Sequence, residues 1–278
     1  MAPTSVSPEF DKVGYWSPNT ASIDWCENNY VVTPYIAEFW NAISSFAIVA
    51  VAAAGYFLLP KSCPRRFSVL MQSYAVLGIG SVLFHGTLRH KMQLLDELPM
   101  LYSATIVVFI CIETKFGKVG QWVPFALTAW LIITTILFST TTGTLQSASF
   151  QGTYITMQLC MIYFLRAFHV QRRAIRPNPM TSRVIRLATS TAVMAATVWL
   201  TDYRLCVYVN GVSPESILPL NPQFHAWWHC FTGVAIYSAS VLVIYYHYDI
   251  RNEQPSLYLW KGLLPALSIP SPSKTKLQ

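Results

Sequence analysis

The chain has 278 residues, of which 53% are hydrophobic and only 11% are charged, and its formal net charge is +7. This composition is typical of a protein that crosses a membrane several times, and it argues against a soluble domain of the same length. The positive charge does not indicate nucleic-acid binding, because the basic residues collect on one side of the predicted membrane spans.

Residues 1–35 are polar and rich in proline and other turn formers, so we expect an external arm. Within it, Asp24-Trp25-Cys26-Glu27-Asn28-Asn29, together with Glu38, offers three carboxylates, an amide oxygen and backbone carbonyls. Such an all-oxygen set favours Ca²⁺ over zinc. The spacing is not that of an EF-hand loop, and a solvated acidic turn with a helix cap is the alternative. No basic segment followed by an apolar one precedes residue 35, so no cleavable signal peptide is predicted.

Seven apolar segments follow, each near the roughly 18 residues that a helix needs to cross the hydrocarbon core. They cover residues 36–59, 67–85, 94–112, 121–140, 145–165, 184–203 and 222–247. The fifth contains three glutamines and is the weakest candidate. Because the connections are short, neighbouring helices must run antiparallel, and we expect an all-α membrane protein with one seven-transmembrane helix bundle over residues 36–249.

The basic residues orient this bundle. Only four of the 19 Lys and Arg residues fall on the outer side, namely Lys12, Arg89, Lys91 and Arg204. The positive-inside rule therefore predicts a luminal N-terminus, an uncleaved first span and a cytosolic tail over residues 250–278. Prolines in the tail favour mobility. Its end, Lys274-Thr275-Lys276-Leu277-Gln278, resembles the lysine-based retrieval signal of endoplasmic-reticulum membrane proteins, so we expect that membrane or the Golgi.

The chain has six cysteines, and two of them lie in segments that this topology places outside the cytosol. These are Cys26 in the arm and Cys206 after the sixth span. A disulfide is chemically permitted there, so one bridge from the arm to that connection is a hypothesis. The other four are expected to be small buried residues.

Two polar pairs share one helical spacing, Ser81-x-x-x-His85 and His225-x-x-x-His229. Residues four apart lie on one face of a helix. In the seven-span topology both pairs, and Asp96, fall at the outer ends of their helices. Ionisable residues at such a depth are costly and indicate a functional site. Three imidazoles beside a carboxylate are the ligand set of a catalytic zinc with an open position for water.

In this interpretation the metal makes water nucleophilic near neutral pH. Asp96 would act as general acid and base, and Ser81 would donate a hydrogen bond to an oxyanion. Each feature has a structural alternative, because a buried His often bonds a neighbouring side chain and a membrane serine often bonds its own backbone. The remaining histidines, His90, His169 and His247, are expected at the surface.

Taken in order, these motifs resemble the alkaline ceramidases, seven-span zinc-dependent hydrolases of the superfamily that includes the adiponectin receptors. The resemblance runs from about Gly14 to His247. The residues that carry it are Asp24-Trp25-Cys26-Glu27-x-Asn29, Glu38-Phe39-x-Asn41, Ser81-x-x-x-His85, Asp96 and His225-x-x-x-His229.

The resemblance implies a role for each of these positions. The zinc ligands would be His85, His225 and His229, with Asp96 as acid/base and Ser81 supporting the oxyanion or the water. A calcium site would use Asp24, Trp25 through its backbone carbonyl, Glu27, Asn29 and Glu38, and a disulfide would join Cys26 to Cys206. The implied reaction is hydrolysis of ceramide, taken from the bilayer, to a sphingoid base and a free fatty acid. Some fungal members act on phytoceramide or dihydroceramide and can run in reverse.

Two other functions compete with this one. A zinc-binding receptor of the adiponectin-receptor type would use the same pocket for signalling. A haem protein would use His85 with His225 or His229 as axial ligands. Retinal binding is disfavoured because the seventh span contains no lysine for a Schiff base. The segment Ile112-Glu113-Thr114-Lys115 lacks the acidic-Arg-Tyr signature of an ordinary G-protein-coupled receptor.

Overall fold

The structure is a computed structural model that describes residues 12–270. Most of that range is helical, and a short hairpin follows the last helix. The elements are α1 (Phe39–Ser44), α2 (Phe46–Leu58), α3 (Arg65–Thr87), α4 (His90–Phe116), α5 (Trp122–Thr140), α6 (Gly143–Ile175), α7 (Pro179–Val209), α8 (Phe224–Asp249), β1 (Ser256–Trp260) and β2 (Leu264–Ser268).

Six stretches of helix in the described range are long and apolar enough to cross a membrane. They are Phe39–Leu58, Arg65–Thr87, His90–Phe116, Trp122–Thr140, Pro179–Val209 and Phe224–Asp249. Each coincides with a predicted apolar segment, and most extend beyond it because a hydrogen-bonded helix continues into the polar interface. The protein is therefore a multi-pass helical membrane protein. The first stretch is α1 and α2 together, with Ser45 between them.

The predicted fifth segment corresponds to α6, which is too polar to count among those six. Its position is nevertheless clear from its two ends. At its first residue, the Gly143 N–H donates to Ser22 Oγ of the arm at 2.9 Å. Near its last turn, the Arg172 guanidinium bonds the Asp249 carboxylate, at the end of α8, at 2.6 Å. The 33 residues of α6 therefore run along the whole length of the bundle.

Local sequence explains where several helices begin and end. Asn178 caps α7, because its side chain accepts the Met180 N–H at 2.9 Å, and Pro179 occupies the first helical position. Gly117 ends α4 with a φ of 78°, a conformation that costs glycine little.

The most buried helix is α8, which packs against α2, α4 and α7. Its second half contributes most of the large core side chains, including Tyr237, Tyr245 and Tyr246. By contrast α5, α6 and α7 bury few of their apolar side chains. An apolar surface of that extent is what contact with lipid requires. In addition, α7 packs on α8 and makes little contact with α6.

The tail differs from its prediction. The sequence predicts a mobile tail from about Ile250, whereas in the structure β1 and β2 of the tail pair antiparallel, with Ser256 opposite Ser268. Leu257 and Leu267 are buried in the main core, and the Tyr237 hydroxyl donates to the Pro265 carbonyl at 2.6 Å. Burial of these apolar residues outweighs the disorder that the prolines favour. The retrieval-like residues 274–278 lie outside the described residues.

The two ends of the bundle each hold a buried polar cluster. We call the end with His85, His225 and His229 the histidine end, and the opposite end, with Arg66, Arg172, His247 and Asp249, the arginine end. At the arginine end the imidazole of His247 is bonded on both sides, to Arg66 at 2.9 Å and to Thr114 at 2.8 Å.

The prediction that His90, His169 and His247 are surface residues is wrong for His247 and holds only in part for the other two. His247 is buried, and the other two are half-buried. His169 bonds the Tyr246 hydroxyl through Nδ1 at 2.9 Å. His90 is the first residue of α4 rather than part of a loop, and its N–H donates to Thr20 of the arm. The side chains of His169 and His247 make specific hydrogen bonds that the linear sequence does not show.

Candidate functional site

Three imidazoles meet at the histidine end. His85 lies near the end of α3, whereas His225 and His229 lie one turn apart in the first turns of α8. Their ring centroids are 4.8 to 5.1 Å apart, and one potential ligand atom from each lies within 4.8 Å of the others. All three are buried. The spacing of four in α8 turns both of its rings toward α3, which creates the cluster.

Two neighbours orient these rings. When Glu38 is ionised its carboxylate can only accept, so the Nδ1–H of His85 then donates to it. Nδ1 of His229 lies 2.8 Å from Ser44 Oγ. Because that hydroxyl donates to the Asn41 carbonyl, the imidazole must be the donor. The opposite nitrogen of each ring is thereby left deprotonated, as metal ligation requires.

Two ring nitrogens of the cluster are buried without a hydrogen-bond partner in the described part of the chain. They are Nε2 of His85 and Nδ1 of His225. A buried polar atom left unpaired costs free energy, and each such atom in a folded protein needs an explanation. Three converging imidazoles, two of them with such a nitrogen, fit a tetrahedral divalent cation, because neutral imidazoles are donors that zinc prefers.

Ser81 and Asp96 border the cluster. Ser81 Oγ lies 3.3 Å from Nε2 of His229 and accepts from Ser45 Oγ at 3.0 Å. Asp96, in α4, is buried, and its side chain lies next to that of Ser81. No cationic side chain pairs with Asp96 among residues 12–270. The structure therefore places a carboxylate and a hydroxyl beside the three imidazoles.

A close backbone approach sets this arrangement. A Cβ added to Gly80 would lie 1.9 Å from the Leu95 carbonyl oxygen, so only glycine lets α3 and α4 come this near. Leu95 is four residues before Pro99, which lies inside α4 and has no N–H to bond that carbonyl. Since Ser81 follows Gly80 and Asp96 follows Leu95, the contact fixes these two functional candidates relative to each other.

The acidic arm folds against the same end of the bundle. The Asn29 amide donates to Asp24 at 3.2 Å, and the Trp25 N–H donates to Glu38 at 3.1 Å. The carboxylate of Glu27 accepts the N–H groups of Trp40 and Asn41 at the start of α1. The side chains predicted as calcium ligands therefore form one connected group rather than a solvated turn.

Two of these carboxyl groups are unusually basic. Burial, and secondly the nearby Glu38 carboxylate, raises the pKa of Glu27 to about 8. Burial likewise raises the pKa of Glu38 to about 8. Buried carboxylates side by side disfavour each other's charge, and a divalent cation between them would favour it. Because Glu38 also accepts from His85, it belongs to both the arm cluster and the histidine cluster.

Aromatic side chains enclose His225. Its ring stacks on Trp25 of the arm at 3.7 Å and on Trp228 at 5.0 Å. Trp199 and Tyr203 of α7 pack against Trp25 as well. The arm thus contributes a wall of the candidate site as well as carboxylates.

A disulfide fastens the arm. Cys26 and Cys206 are bonded across 180 positions of sequence, with Cα atoms 5.4 Å apart. Of the other cysteines, Cys111 is buried and the remaining three are half-buried. The bridge joins the arm to the last turn of α7, close to the start of α8.

Sequence reasoning missed three residues at this site. Ser44 bonds His229, Trp228 stacks on His225, and the buried carboxylate of Asp202 accepts two backbone N–H groups there. For Asp202 a signal existed, because a lone acid inside a predicted span is unusual. Ser44 and Trp228 carry no such signal, since serines and tryptophans are common in membrane helices.

Comparison with known proteins agrees with this geometry. The model of the ceramidase family matches residues 17–271. Mouse alkaline ceramidase 3 is 30% identical over 94% of this chain and 97% of its own length. Alkaline ceramidase YPC1 of Saccharomyces cerevisiae is 31% identical over 83% and 78%. Arabidopsis thaliana alkaline ceramidase is 27% identical over 93% and 96%. The resemblance seen in the sequence is thus confirmed, and the chain belongs to the ceramidase family of enzymes.

Proposed function

We propose that this protein is a zinc-dependent intramembrane amidase that cleaves ceramide to a sphingoid base and a free fatty acid. Phytoceramide or dihydroceramide is the proposed substrate, and the reaction is proposed to be reversible. The observation that carries the proposal is the convergence of His85, His225 and His229 beside the buried Asp96, with one ring nitrogen of His85 and one of His225 left without a partner in the described range. Family membership supports ceramide as the substrate class.

His85, His225 and His229 would hold the zinc, with Glu38 and Ser44 fixing two of the rings. When bound in such a site, zinc acts as a Lewis acid and lowers the pKa of water to about 7. Three protein ligands leave a fourth position for water or substrate, as catalytic zinc sites do.

The protein's own groups would manage the protons. Asp96 is buried beside Ser81 and unpaired with any cationic side chain of the described range, so it can accept a proton from water and return it to the leaving amine nitrogen. Ser81 can donate a hydrogen bond to the amide oxygen as negative charge develops there. The close contact at Gly80 would keep both groups in place through the cycle.

We propose that the arm cluster binds calcium through Asp24, Glu27, Asn29, Glu38 and the backbone carbonyl of Trp25. The raised pKa values of the two glutamates support this, because carboxyl groups brought together by burial gain most from a cation. Since Glu38 contacts His85, calcium would also hold the first zinc ligand in place.

The topology proposed from the sequence has seven spans, a luminal N-terminus and a cytosolic C-terminus in the endoplasmic reticulum. Its support is α6, which contacts the arm at one end and Asp249 at the other. At 1.5 Å per residue it is roughly 50 Å long, more than the ~30 Å of the hydrocarbon core. If α6 is counted as a span, the arm and the arginine end would lie on opposite sides of the membrane.

A lipid substrate would enter from the side. The weak contact between α6 and α7 leaves that side of the bundle facing lipid. A cavity lined mainly by apolar side chains, among them Leu77, Val107 and Ile236, lies between α3, α4, α6 and α8. Leu77 is one helical turn from Ser81, so the cavity lies near the candidate site, and its apolar walls would have to part to admit an alkyl chain.

The alternatives fit the geometry less well. A haem takes two imidazoles on opposite faces of a flat ring, whereas three rings in mutual contact favour a small ion. A receptor of the related superfamily would keep the metal without turnover. A direct assay of the purified protein separates these functions.

The test is release of sphingoid base from phytoceramide, dihydroceramide and unsaturated ceramide, with and without a zinc chelator, together with metal analysis. We expect about one zinc per chain, no Soret absorbance, and activity that the chelator removes and zinc restores. Zinc without turnover on any ceramide would favour the receptor. Activity unaffected by complete zinc removal would contradict the metal assignment.

A further inference from the structure

Asp202 is a buried carboxylate that the proposed chemistry does not use. It lies in α7 with 3% of its surface exposed. Its two oxygens accept backbone N–H groups, one from Cys26 at 3.0 Å and one from His225 at 3.2 Å. Within residues 12–270 no cationic side chain pairs with it. Burying a carboxylate costs free energy, and these two charge-assisted hydrogen bonds offset part of that cost.

One of those bonds caps a helix. His225 is the second residue of α8, where N–H groups have no acceptor within the helix. Gln223, at the usual capping position, has a φ of 59° and provides no side-chain cap. Asp202 therefore supplies the cap from a neighbouring helix, with its negative charge at the positive end of the α8 dipole.

The other bond holds the arm beside the same turn. Cys26 is fixed through its N–H by Asp202, through its carbonyl by Asn221 at 2.7 Å, and through its sulfur by Cys206. Trp25, the preceding residue, stacks on the His225 ring at 3.7 Å. One carboxylate thus positions the backbone on both sides of this stack.

We propose that Asp202 is a positioning residue that sets the place of the His225 ring by capping α8 and by holding the arm against it. This inference rests on the proposed function, in which that ring binds zinc. Second-sphere groups of this kind typically change metal affinity by about 10- to 100-fold when they are lost. Asp202 acts through the backbone of its two partners rather than by touching substrate.

The substitution Asp202→Asn keeps the volume but replaces one acceptor with an NH₂ group that would face an N–H. We expect zinc affinity, measured by competition with a chromogenic chelator, to fall by about 10- to 100-fold. We also expect kcat to fall with KM nearly unchanged. The visible spectrum of the cobalt-substituted protein should shift, because the angle at one ligand changes.

One variant separates this role from general stability. Asp249→Asn removes a buried carboxylate at the opposite end of the bundle. It should lower the melting temperature and leave zinc affinity and the cobalt spectrum unchanged. If Asp202→Asn does not fold, Trp25→Leu tests the same stack and should weaken zinc binding without altering the cap.

Zinc affinity and a cobalt spectrum in Asp202→Asn equal to those of the wild type would overturn the proposal. So would an equal loss of zinc affinity in Asp249→Asn, because that would make the effect one of stability. The measurement on the wild-type protein tests the proposed function separately. A wild-type protein that binds no zinc overturns the proposed function itself, whereas normal wild-type binding with an unaffected variant overturns only the role of Asp202.

Discussion

The histidine end and the arginine end contain similar side chains, because both place buried imidazoles and carboxylates around α8. At the arginine end both ring nitrogens of His247 and both carboxylate oxygens of Asp249 have a protein partner. His247 bonds Arg66 and Thr114, and Asp249 bonds Arg172 and lies 3.6 Å from Arg176. At the histidine end ring nitrogens of His85 and His225 have none in the described range.

The difference shows how two clusters of one composition can serve different purposes. A cluster whose hydrogen bonds are completed within the protein stabilises packing, and nothing is gained by adding a ligand. A cluster whose donor atoms converge without protein partners is costly until something binds. Burial of histidines therefore does not by itself indicate a metal site, whereas convergent unpartnered nitrogens support the proposal of one.

The largest expected effect comes from comparing two variants, each with one histidine, from one end or the other, replaced by alanine. His225→Ala should lower kcat/KM for ceramide by roughly 10³-fold or more, about 4 kcal/mol of transition-state stabilisation, and should remove bound zinc. His247→Ala removes a histidine of the same helix and should keep both zinc and turnover while lowering the melting temperature. Metal analysis and sphingoid-base release measure the two outcomes. Similar losses in both variants would abolish the distinction between the ends.

The next effect concerns backbone spacing at the histidine end. Gly80→Ala places a methyl group 1.9 Å from the Leu95 carbonyl oxygen, so α3 and α4 must separate beside Ser81 and Asp96. A displacement of about 1 Å at reacting groups can cost ~10²-fold in rate. The control is Gly233→Ala in α8, where the nearest atom would be at 3.5 Å. Turnover and zinc content of the two variants test this, and equal activity would show that the close approach has no role in catalysis.

The smallest effect on activity should follow a change at the arginine end. Arg172→Gln leaves the buried carboxylate of Asp249 without its main partner, and breaking such a pair typically costs about 3–5 kcal/mol of stability. Thermal unfolding in detergent should show a clearly lower melting temperature, while kcat measured at low temperature stays close to that of the wild type. A loss of zinc in this variant would show that the two ends are coupled through α8.

Hydropathy and local spacing predicted much of this structure. The apolar segments became helices because crossing a membrane requires every backbone group to be bonded within the helix. The interval of four placed His225 and His229 on one face, which follows from helix geometry alone. Grouping His85 with them needed only the inference that the helix ends that contain these three histidines lie at the same depth in the membrane. The roles of these residues as zinc ligands stay predictions.

Other features could not be read from the chain. The hairpin at Ser256–Ser268 forms because Leu257 and Leu267 find a buried surface on the bundle, and a proline-rich tail gives no sign of such a partner. The surface assignment of His247 failed for the same reason, since its partners Arg66 and Thr114 lie on other helices.

Sequence by itself determined the class of the protein, its helices and the residues able to bind a metal, because these depend on composition and on intervals of a few residues. Only the tertiary structure decided which ring nitrogens are left without partners, that Glu38 serves two clusters, and that Asp202 caps α8 beside the arm. Those contacts join positions as far apart as 176 residues. They depend on how the helices pack, which no local pattern encodes.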